Sequence, residues 1–284
     1  MLPPWIAIEP IIRGWLQEDI GRGDRATQSL FGGTERLGRA DWIANESGII
    51  AGLPIAARVF ELLSDHIRWQ ARLAEGQACE PGQCVAHLEG PLDALLLGER
   101  VALNAAMHLS GIATATWQYA DRIADLPAQL VDTRKTTPGM RLLEKYATQV
   151  GGATNHRLGL DDAAMLKDNH IRAAGSIEAA IARIRAALPY LQPIAVEADS
   201  LAAAQAALAG GADAILLDNL PLEQMREAAR AIGEQSRPVK IEASGNITQD
   251  TIRSVAEAGA HYISTSAPIT QSAWLDLSMQ LHPS

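Results

Sequence analysis

The stretch from Ile194 to Asp218, IAVEADSLAAAQAALAGGADAILLD, decides the fold. An apolar run ends on an acid at Ala195-Val196-Glu197. Ser200 stands where a helix N-cap belongs, an Ala-rich helical pattern follows to Ala209, and a second apolar run again ends on an acid at Leu216-Leu217-Asp218. Strand followed by helix is the unit of parallel α/β folds. From Leu126 onward the same unit recurs, with run ends at Leu130-Val131-Asp132, Met165-Leu166-Lys167, Lys240-Ile241-Glu242 and Tyr262-Ile263-Ser264. From Lys167 through Glu197, Asp218, Glu242 and Ser264 the ends lie 30, 21, 24 and 22 residues apart. That period suits βα units closing into a barrel or winding as an open sheet, and both place ligands at the carboxyl ends of the strands. Six or seven strands are countable, short of the eight of a full barrel. Helices are expected over Ser176–Ala187, Ser200–Ala209, Leu222–Ile232 and Gln249–Glu257, with Ser176 also a cap.

The amino-terminal part reads differently. Short strands are expected over Arg39–Asn45, Gly48–Ala51, Ile67–Leu73 and Gln83–Leu88, with a helix over Ile55–Leu63, so two domains are the economical description. The chain has 284 residues, 48% of them apolar and 20% charged, which excludes intrinsic disorder. Its formal net charge of -9 argues against general binding to nucleic acid or to acidic lipid. Only two cysteines occur, Cys79 and Cys84, and they fit neither a Cys-x-x-Cys redox motif nor a four-donor zinc set. They read as reduced thiols. The uncharged stretch Val101–Ala120 contains Asn104, His108, Ser110, Thr114 and Thr116, so it reads as a buried helix pair rather than a membrane span. No secretory signal follows Met1, and a cytoplasmic location is expected.

Charged residues at the ends of buried parallel strands are costly to desolvate unless they are paired or functional. Asp132, Lys167, Glu197, Asp218 and Glu242 are therefore read together as the mouth of one site. Arg134, Lys135, His156, Arg157, Lys167 and His170 cluster in the same region of an acidic chain, a mixture of forked and compact cations suited to a small polyanion. On an amphipathic helix from Met140 to Gln149, Arg141 and Lys145 have the spacing of ordinary exposed residues. Ser244-Gly245-Asn246 follows a strand and precedes a helix, offering backbone amides and a hydroxyl to a phosphate, and Ser264-Thr265-Ser266 closes the next strand similarly.

These residues resemble the quinolinate phosphoribosyltransferase family, also called carboxylating nicotinate-nucleotide pyrophosphorylase. The resemblance runs from Glu18-Asp19-Ile20-Gly21-Arg22-Gly23-Asp24 through Gly48–Gly52, Glu99–Asn104 and Leu109–Thr114. Its most specific blocks are Asp132-Thr133-Arg134-Lys135-Thr136-Thr137-Pro138-Gly139, Asn155-His156-Arg157-Leu158-Gly159-Leu160 and Lys167-Asp168-Asn169-His170-Ile171. It implies an α/β fold of the type II phosphoribosyltransferases: an amino-terminal α/β sandwich over residues 1–110, rejoined by a last helix within 272–284, and an incomplete parallel α/β barrel over residues 111–271. It also implies the reaction, in which quinolinate and phosphoribosyl pyrophosphate give nicotinate mononucleotide, pyrophosphate and carbon dioxide, with Mg2+ accompanying the pyrophosphate.

By motif match, Arg134, His156, Arg157 and Lys167 would hold the quinolinate carboxylates. Lys135, beside Thr133, would meet the phosphoribosyl donor. Glu197 and Asp218 would grip ribose hydroxyls and magnesium, so that Lys135, Lys167, Glu197 and Asp218 are the expected catalytic set. Ser244, Gly245, Asn246, Ser264 and Ser266 would take the phosphate. Arg100 would arrive from a second subunit, which implies a homodimer. The segment Ser264-Thr265-Ser266-Ala267-Pro268 departs from the family's usual Ser-Val-Gly-Ala-Leu, with Ser266 in place of a glycine. A related ModD-type group shares the Thr-Arg-Lys-Thr and His-Arg-Leu-Gly-Leu elements but usually lacks Lys-Asp-Asn-His, so Lys167–His170 favour the biosynthetic enzyme. A metal hydrolase is disfavoured because no His-x-x-x-His spacing occurs. His66, His87, His108, His261 and His282 have no partner readable from sequence.

Overall fold

Apolar runs of three to five residues that must bury both faces pair most simply with one another, side by side and in parallel. The computed structural model, which describes residues 1–31 and 36–283, shows this arrangement. In chain order the elements begin with α1 (Trp5–Ile20), α2 (Arg25–Phe31), β1 (Leu37–Ala44), β2 (Gly48–Ile49), α3 (Leu53–Glu61) and β3 (Arg68–Ala71). There follow β4 (Ala78–Cys79), β5 (Cys84–Pro91), α4 (Leu92–Asp121), β6 (Gln129–Val131), α5 (Arg141–Val150) and β7 (Ala164–Leu166). Next come α6 (Asp168–Ala174), α7 (Ile177–Ala187), β8 (Ile194–Ala198), α8 (Leu201–Ala209), β9 (Ala214–Asp218) and α9 (Leu222–Gly233). The chain closes with β10 (Lys240–Ser244), α10 (Ile252–Glu257), β11 (Tyr262–Ser264), α11 (Ala267–Thr270) and β12 (Leu277–Pro283). None of the described helices is long and apolar enough to cross a membrane.

The chain divides into two units. The second, Gln118–Thr136 with Ala153–Thr270, holds a six-stranded sheet in the order β6-β11-β10-β9-β8-β7, with every pairing parallel. Each strand from β8 to β11 lies beside its predecessor, and the last, β11, returns to β6. This is the cyclic order of a barrel with its seam left open between β6 and β7, and not the reversal of a doubly wound sheet. Leu130, Val196, Ile215, Leu217, Ile241 and Ile263 fill its core at 0 to 3% exposure. Ala204 and Ala207 face that core from α8, where small side chains let the helix lie close. Ser176 and Ser200 cap α7 and α8, each accepting from the amide three residues on.

The first unit comprises Met1–Trp117, Thr137–Gly152 and the chain from Gln271 onward. Its antiparallel sheet runs β12-β1-β5-β3, with Trp42, Phe60 and Trp69 packed edge-on and stacked beneath it. Three expectations are corrected here. The segment after residue 272 returns as strand β12, paired along β1 from Ala44↔Leu277 to Gly38↔Pro283, and not as a helix. Val101–Ala120 lies in one helix of 30 residues, α4, and not in a helix pair. The polar residues that suggested a break are satisfied in place: Thr114 and Thr116 donate to the carbonyls four residues back, both at 2.7 Å, and Ser110 donates to Ala51 O.

The third correction concerns α5, which falls in the first unit, whereas the sequence division assigned it to the barrel. Lys145 is only 1% exposed and Arg141 is half-buried, against the surface positions expected for them. The cause is a polar face turned inward. Glu144, fully buried, lies 3.0 Å from His108 Nε2 on α4 and accepts from the amide of Thr137 at 2.8 Å. The Tyr146 hydroxyl donates to Glu75, whose carboxylate also accepts from the amides of Gly52 and Leu53 at the start of α3.

Two expectations follow. A Cβ on Gly111 would sit 2.0 Å from the carbonyl oxygen of Ala273, whereas one on Gly14 meets nothing within 4 Å. Gly111→Ala should therefore destabilise by about 1–3 kcal/mol through overpacking, and Gly14→Ala should stabilise by about 0.5–1 kcal/mol as an ordinary helical substitution. Thermal melts showing the same sign for both would contradict this packing. For Glu144, burial pushes the pKa up, but the hydrogen bonds from His108 and Thr137 outweigh it and leave the group below its ordinary 4.5. Its stabilisation is complete above that ordinary value and lost as pH falls through the lower folded one. Acid unfolding followed by circular dichroism should show this loss below pH 4.5, and Glu144→Gln should flatten it.

Candidate active site

Register at the carboxyl ends of the strands brings the polar residues into line. Val131 pairs with Ser264, Ser264 with Ser244, and Ser244 with Asp218, so these four form one row across β6, β11, β10 and β9. The row continues less regularly to β8 and β7, where Leu166 lies beside Val196 and the next residues, Lys167 and Glu197, meet as an ion pair. The expected strand ends therefore share one rim of the second unit, except that Glu242 lies two residues before the end of β10, which runs to Ser244.

Three groups make direct contacts. The first surrounds Asp132, 3% exposed, immediately after β6. Its Oδ2 accepts from Asn155 Nδ2 at 2.7 Å and its Oδ1 from the His156 amide at 2.8 Å. A bridge between Val131 and Thr154 lays this segment beside β6 at the open seam. His156 Nδ1 accepts from the Arg157 amide at 2.7 Å, which leaves the proton on Nε2, 3.2 Å from the Glu242 carboxylate. Arg157 donates to Ala163 O at 2.7 Å. Burial first, and then the charge of Arg134, push its pKa down, against the opposite pull of Asp162 and Glu242. Two guanidiniums are thus crowded together. Arg134 Nε and Glu242 Oε1 are both buried without a hydrogen-bond partner.

The second group is Lys167 with Glu197 on β8. His170, from the same motif, uses Nδ1 to accept from the Lys167 amide at 3.1 Å, so its role is to cap α6. The third group joins Asp218 to the loop after β10. Asn219 donates to Asp218 Oδ2 at 3.2 Å and through its amide to Ser244 O at 2.9 Å, and it accepts from Asn246 at 2.9 Å. Asn219 and Asn246 both have positive φ, 55° and 50°. Gly245 must be glycine here, because φ is +98° and a Cβ would lie 2.2 Å from the Asn219 amide oxygen.

The phosphate loops differ from expectation in one respect. α10 starts only at Ile252, after a turn in which Thr248 and Thr251 hydrogen-bond to each other, so no helix terminus directly adjoins Ser244–Asn246. What that loop offers is its own backbone. Ser264 is buried at the end of β11, and Ser266 is half-buried just before α11. Thr133 shapes its loop by accepting from the amide of Lys135 at 3.0 Å, and Lys135 itself is exposed.

Arg100 lies in the first unit, with its side chain 60% exposed on α4. It lines a hollow of about 640 Å³, a volume suited to a small molecule, together with Glu18, Asn104, His108, Thr137 and Trp274. His108 lines this hollow and pairs with the buried Glu144; sequence reasoning left both without a role, since a separation of 36 residues hides the pairing. Glu242, known from sequence only as a strand-end acid, proves to hold His156 across 86 residues.

Comparison with known proteins agrees over almost the whole chain. The family model for the C-terminal domain of quinolinate phosphoribosyl transferase matches residues 112–280, and that for its N-terminal domain matches residues 24–110. A probable carboxylating nicotinate-nucleotide pyrophosphorylase of Synechocystis is 54% identical over 99% of this chain and 94% of the relative. The human carboxylating nicotinate-nucleotide pyrophosphorylase is 38% identical over 99% and 93%. The crystal structure of NadC from Streptococcus pyogenes superposes with a TM-score of 0.94 at 39% identity, covering 100% of this chain and 99% of that one. With both domain models matched in sequence and the fold reproduced at full length, this chain belongs to the quinolinate phosphoribosyl transferase family.

Proposed function

We propose that this protein transfers the phosphoribosyl group of phosphoribosyl pyrophosphate to the ring nitrogen of quinolinate and releases pyrophosphate and carbon dioxide, yielding nicotinate mononucleotide for de novo NAD biosynthesis. The observation that carries this reading is the crowded pair Arg134 and Arg157 at the sheet rim of a chain with net charge -9. Two guanidiniums, one with a buried Nε lacking any partner, suit two adjacent carboxylates on a planar ring. His156 and Lys167 join them by exchanging Glu242 and Glu197 for substrate carboxylates. Lys135 and Thr133 face the phosphoribosyl donor, and Ser244, Gly245, Asn246, Ser264 and Ser266 take its 5'-phosphate on backbone and hydroxyl donors.

As the bond from the anomeric carbon to pyrophosphate breaks and the bond to the ring nitrogen forms, positive charge develops on the ribose. Glu197 and Asp218, on neighbouring strands, stabilise that charge and hold the ribose hydroxyls. Their oxygens are also the donor type a magnesium ion takes alongside substrate phosphates, and a bound Mg2+ would supply neutralising charge for the departing pyrophosphate. Once the ring nitrogen is ribosylated and cationic, the adjacent carboxylate leaves as carbon dioxide. Its electron pair stays on the ring carbon, which then takes a proton. Lys167 or Arg134 guides this step. Arg100 completes the site from a second copy of the chain, so the active form is a homodimer.

The test is formation of nicotinate mononucleotide and carbon dioxide from quinolinate, phosphoribosyl pyrophosphate and magnesium, with nicotinate as the control acid. Turnover of quinolinate alone is expected, and silence with both acids would instead support a ModD-like or non-catalytic protein. Lys167→Ala should lower kcat by roughly 100-fold or more while weakening donor binding far less, and unchanged turnover would remove Lys167 from its role. For the dimer, Arg100→Ala and Lys167→Ala should each be inactive alone but regain roughly a quarter of wild-type activity when co-expressed, because mixed dimers assemble one intact site. No recovery would place Arg100 in its own subunit's site.

A further inference from the structure

Outside the barrel unit, three side chains with metal-ligating atoms converge on the solvent side of the antiparallel sheet, Asp41 on β1 with Cys84 and His87 on β5, and His282 on β12 reaches the same Asp41. Strand geometry alone would not allow this, since residues three apart on a strand face opposite ways. Cys84 and His87 share a face because of a bulge. Asp41 pairs with His87 and Trp42 with Ala86, but Ile43 then pairs with Cys84, so Val85 is the extra residue. Val85 and Ala86 are both buried in succession, and Cys84 is turned out beside His87.

Asp41 is the pivot. Its Oδ1 contacts His87 Nδ1 and its Oδ2 lies 3.2 Å from His282 Nε2, while the Cys84 sulfur lies 3.7 Å from His87 Nδ1. Ligand atoms of Asp41, Cys84 and His87 all fall within 4.8 Å of one another. Donors around a tetrahedral zinc stand about 3.3–3.8 Å apart, as bonds of about 2.0–2.3 Å require. One carboxylate and one thiolate neutralise a dication, and two neutral imidazoles complete four ligands. A hard ion such as magnesium does not choose sulfur and imidazole donors, whereas zinc does.

We propose that Asp41, Cys84 and His87 hold a structural Zn2+ to which His282 turns from its contact with Asp41 to supply the fourth donor, fastening the carboxyl-terminal strand β12 to β1 and β5. In binding, the metal takes the carboxylate and the free ring nitrogen of each neutral imidazole and displaces the thiol proton of Cys84 to solvent, with no redox change.

Cobalt(II) is the probe, because its thiolate charge-transfer band and its intense tetrahedral bands report ligand identity. The chelator-stripped full chain should take up one Co2+ with both signals, lose them to added Zn2+, and melt at a higher temperature with either metal. Cys84→Ser should lose the thiolate band, and Cys79→Ala, which alters the other thiol, should keep it. His282→Ala, at a half-exposed side chain, should weaken Co2+ binding by roughly tenfold or more. Circular dichroism establishes that each variant is folded. A wild-type chain without the thiolate band, a band that survives Cys84→Ser, or affinity unchanged in His282→Ala would overturn the proposal. None of these readouts depends on quinolinate turnover.

Discussion

Parallel hydrogen-bond register is the constraint on which the barrel unit depends. Because Val131, Ser264, Ser244 and Asp218 are locked in one row, the residue after each strand lands on a common rim without further instruction. A slip of one residue in any strand would turn its end residue towards the opposite face of the sheet. Buried apolar residues on both faces of these short strands forbid that slip. The core therefore acts on chemistry indirectly, by fixing which polar groups end up as neighbours.

The rim stores charge in pairs. Asp132 is buried and satisfied by the Asn155 side chain and the His156 amide, Glu242 holds His156, and Glu197 holds Lys167. His156 and Lys167, which the family resemblance ties to the substrate carboxylates, thus each have an internal carboxylate as partner. Such pairing lowers the cost of desolvating isolated cations in a half-buried site. It also means that an incoming anion competes with a fixed internal carboxylate, so selectivity depends on how many cations it can engage at once.

The barrel was legible in the sequence because its information is local. Asp132, Lys167, Glu197, Asp218, Glu242 and Ser264 each close an apolar run, and Ser176 and Ser200 announce the helices between them. What stayed hidden depends on pairs distant in the chain. Strand β12 is defined by β1, some 240 residues earlier, and Leu277–Pro283 by itself has no turn signal or alternation strong enough to announce a strand. Lys145 looked like a surface residue because helical spacing says nothing about a polar face turned inward onto His108 and Glu75. The constellation around Asp41 escaped for the same reason, with the added obstacle that a single bulged residue, Val85, changes which side chains share a face.

The open seam between β6 and β7 carries a consequence of its own. A closed barrel would seal the free edge of β6 with another strand's backbone along its full length. Here, among the described residues, that edge receives a single bridge, to Thr154, and the chain then turns away with Asn155, His156 and Arg157. Incompleteness is thus the doorway through which the basic loop enters the rim. An insertion that zipped the seam shut with regular pairing would make a sturdier sheet and, in the same act, evict the His156–Arg157 loop from the place it occupies beside Asp132 and Glu242.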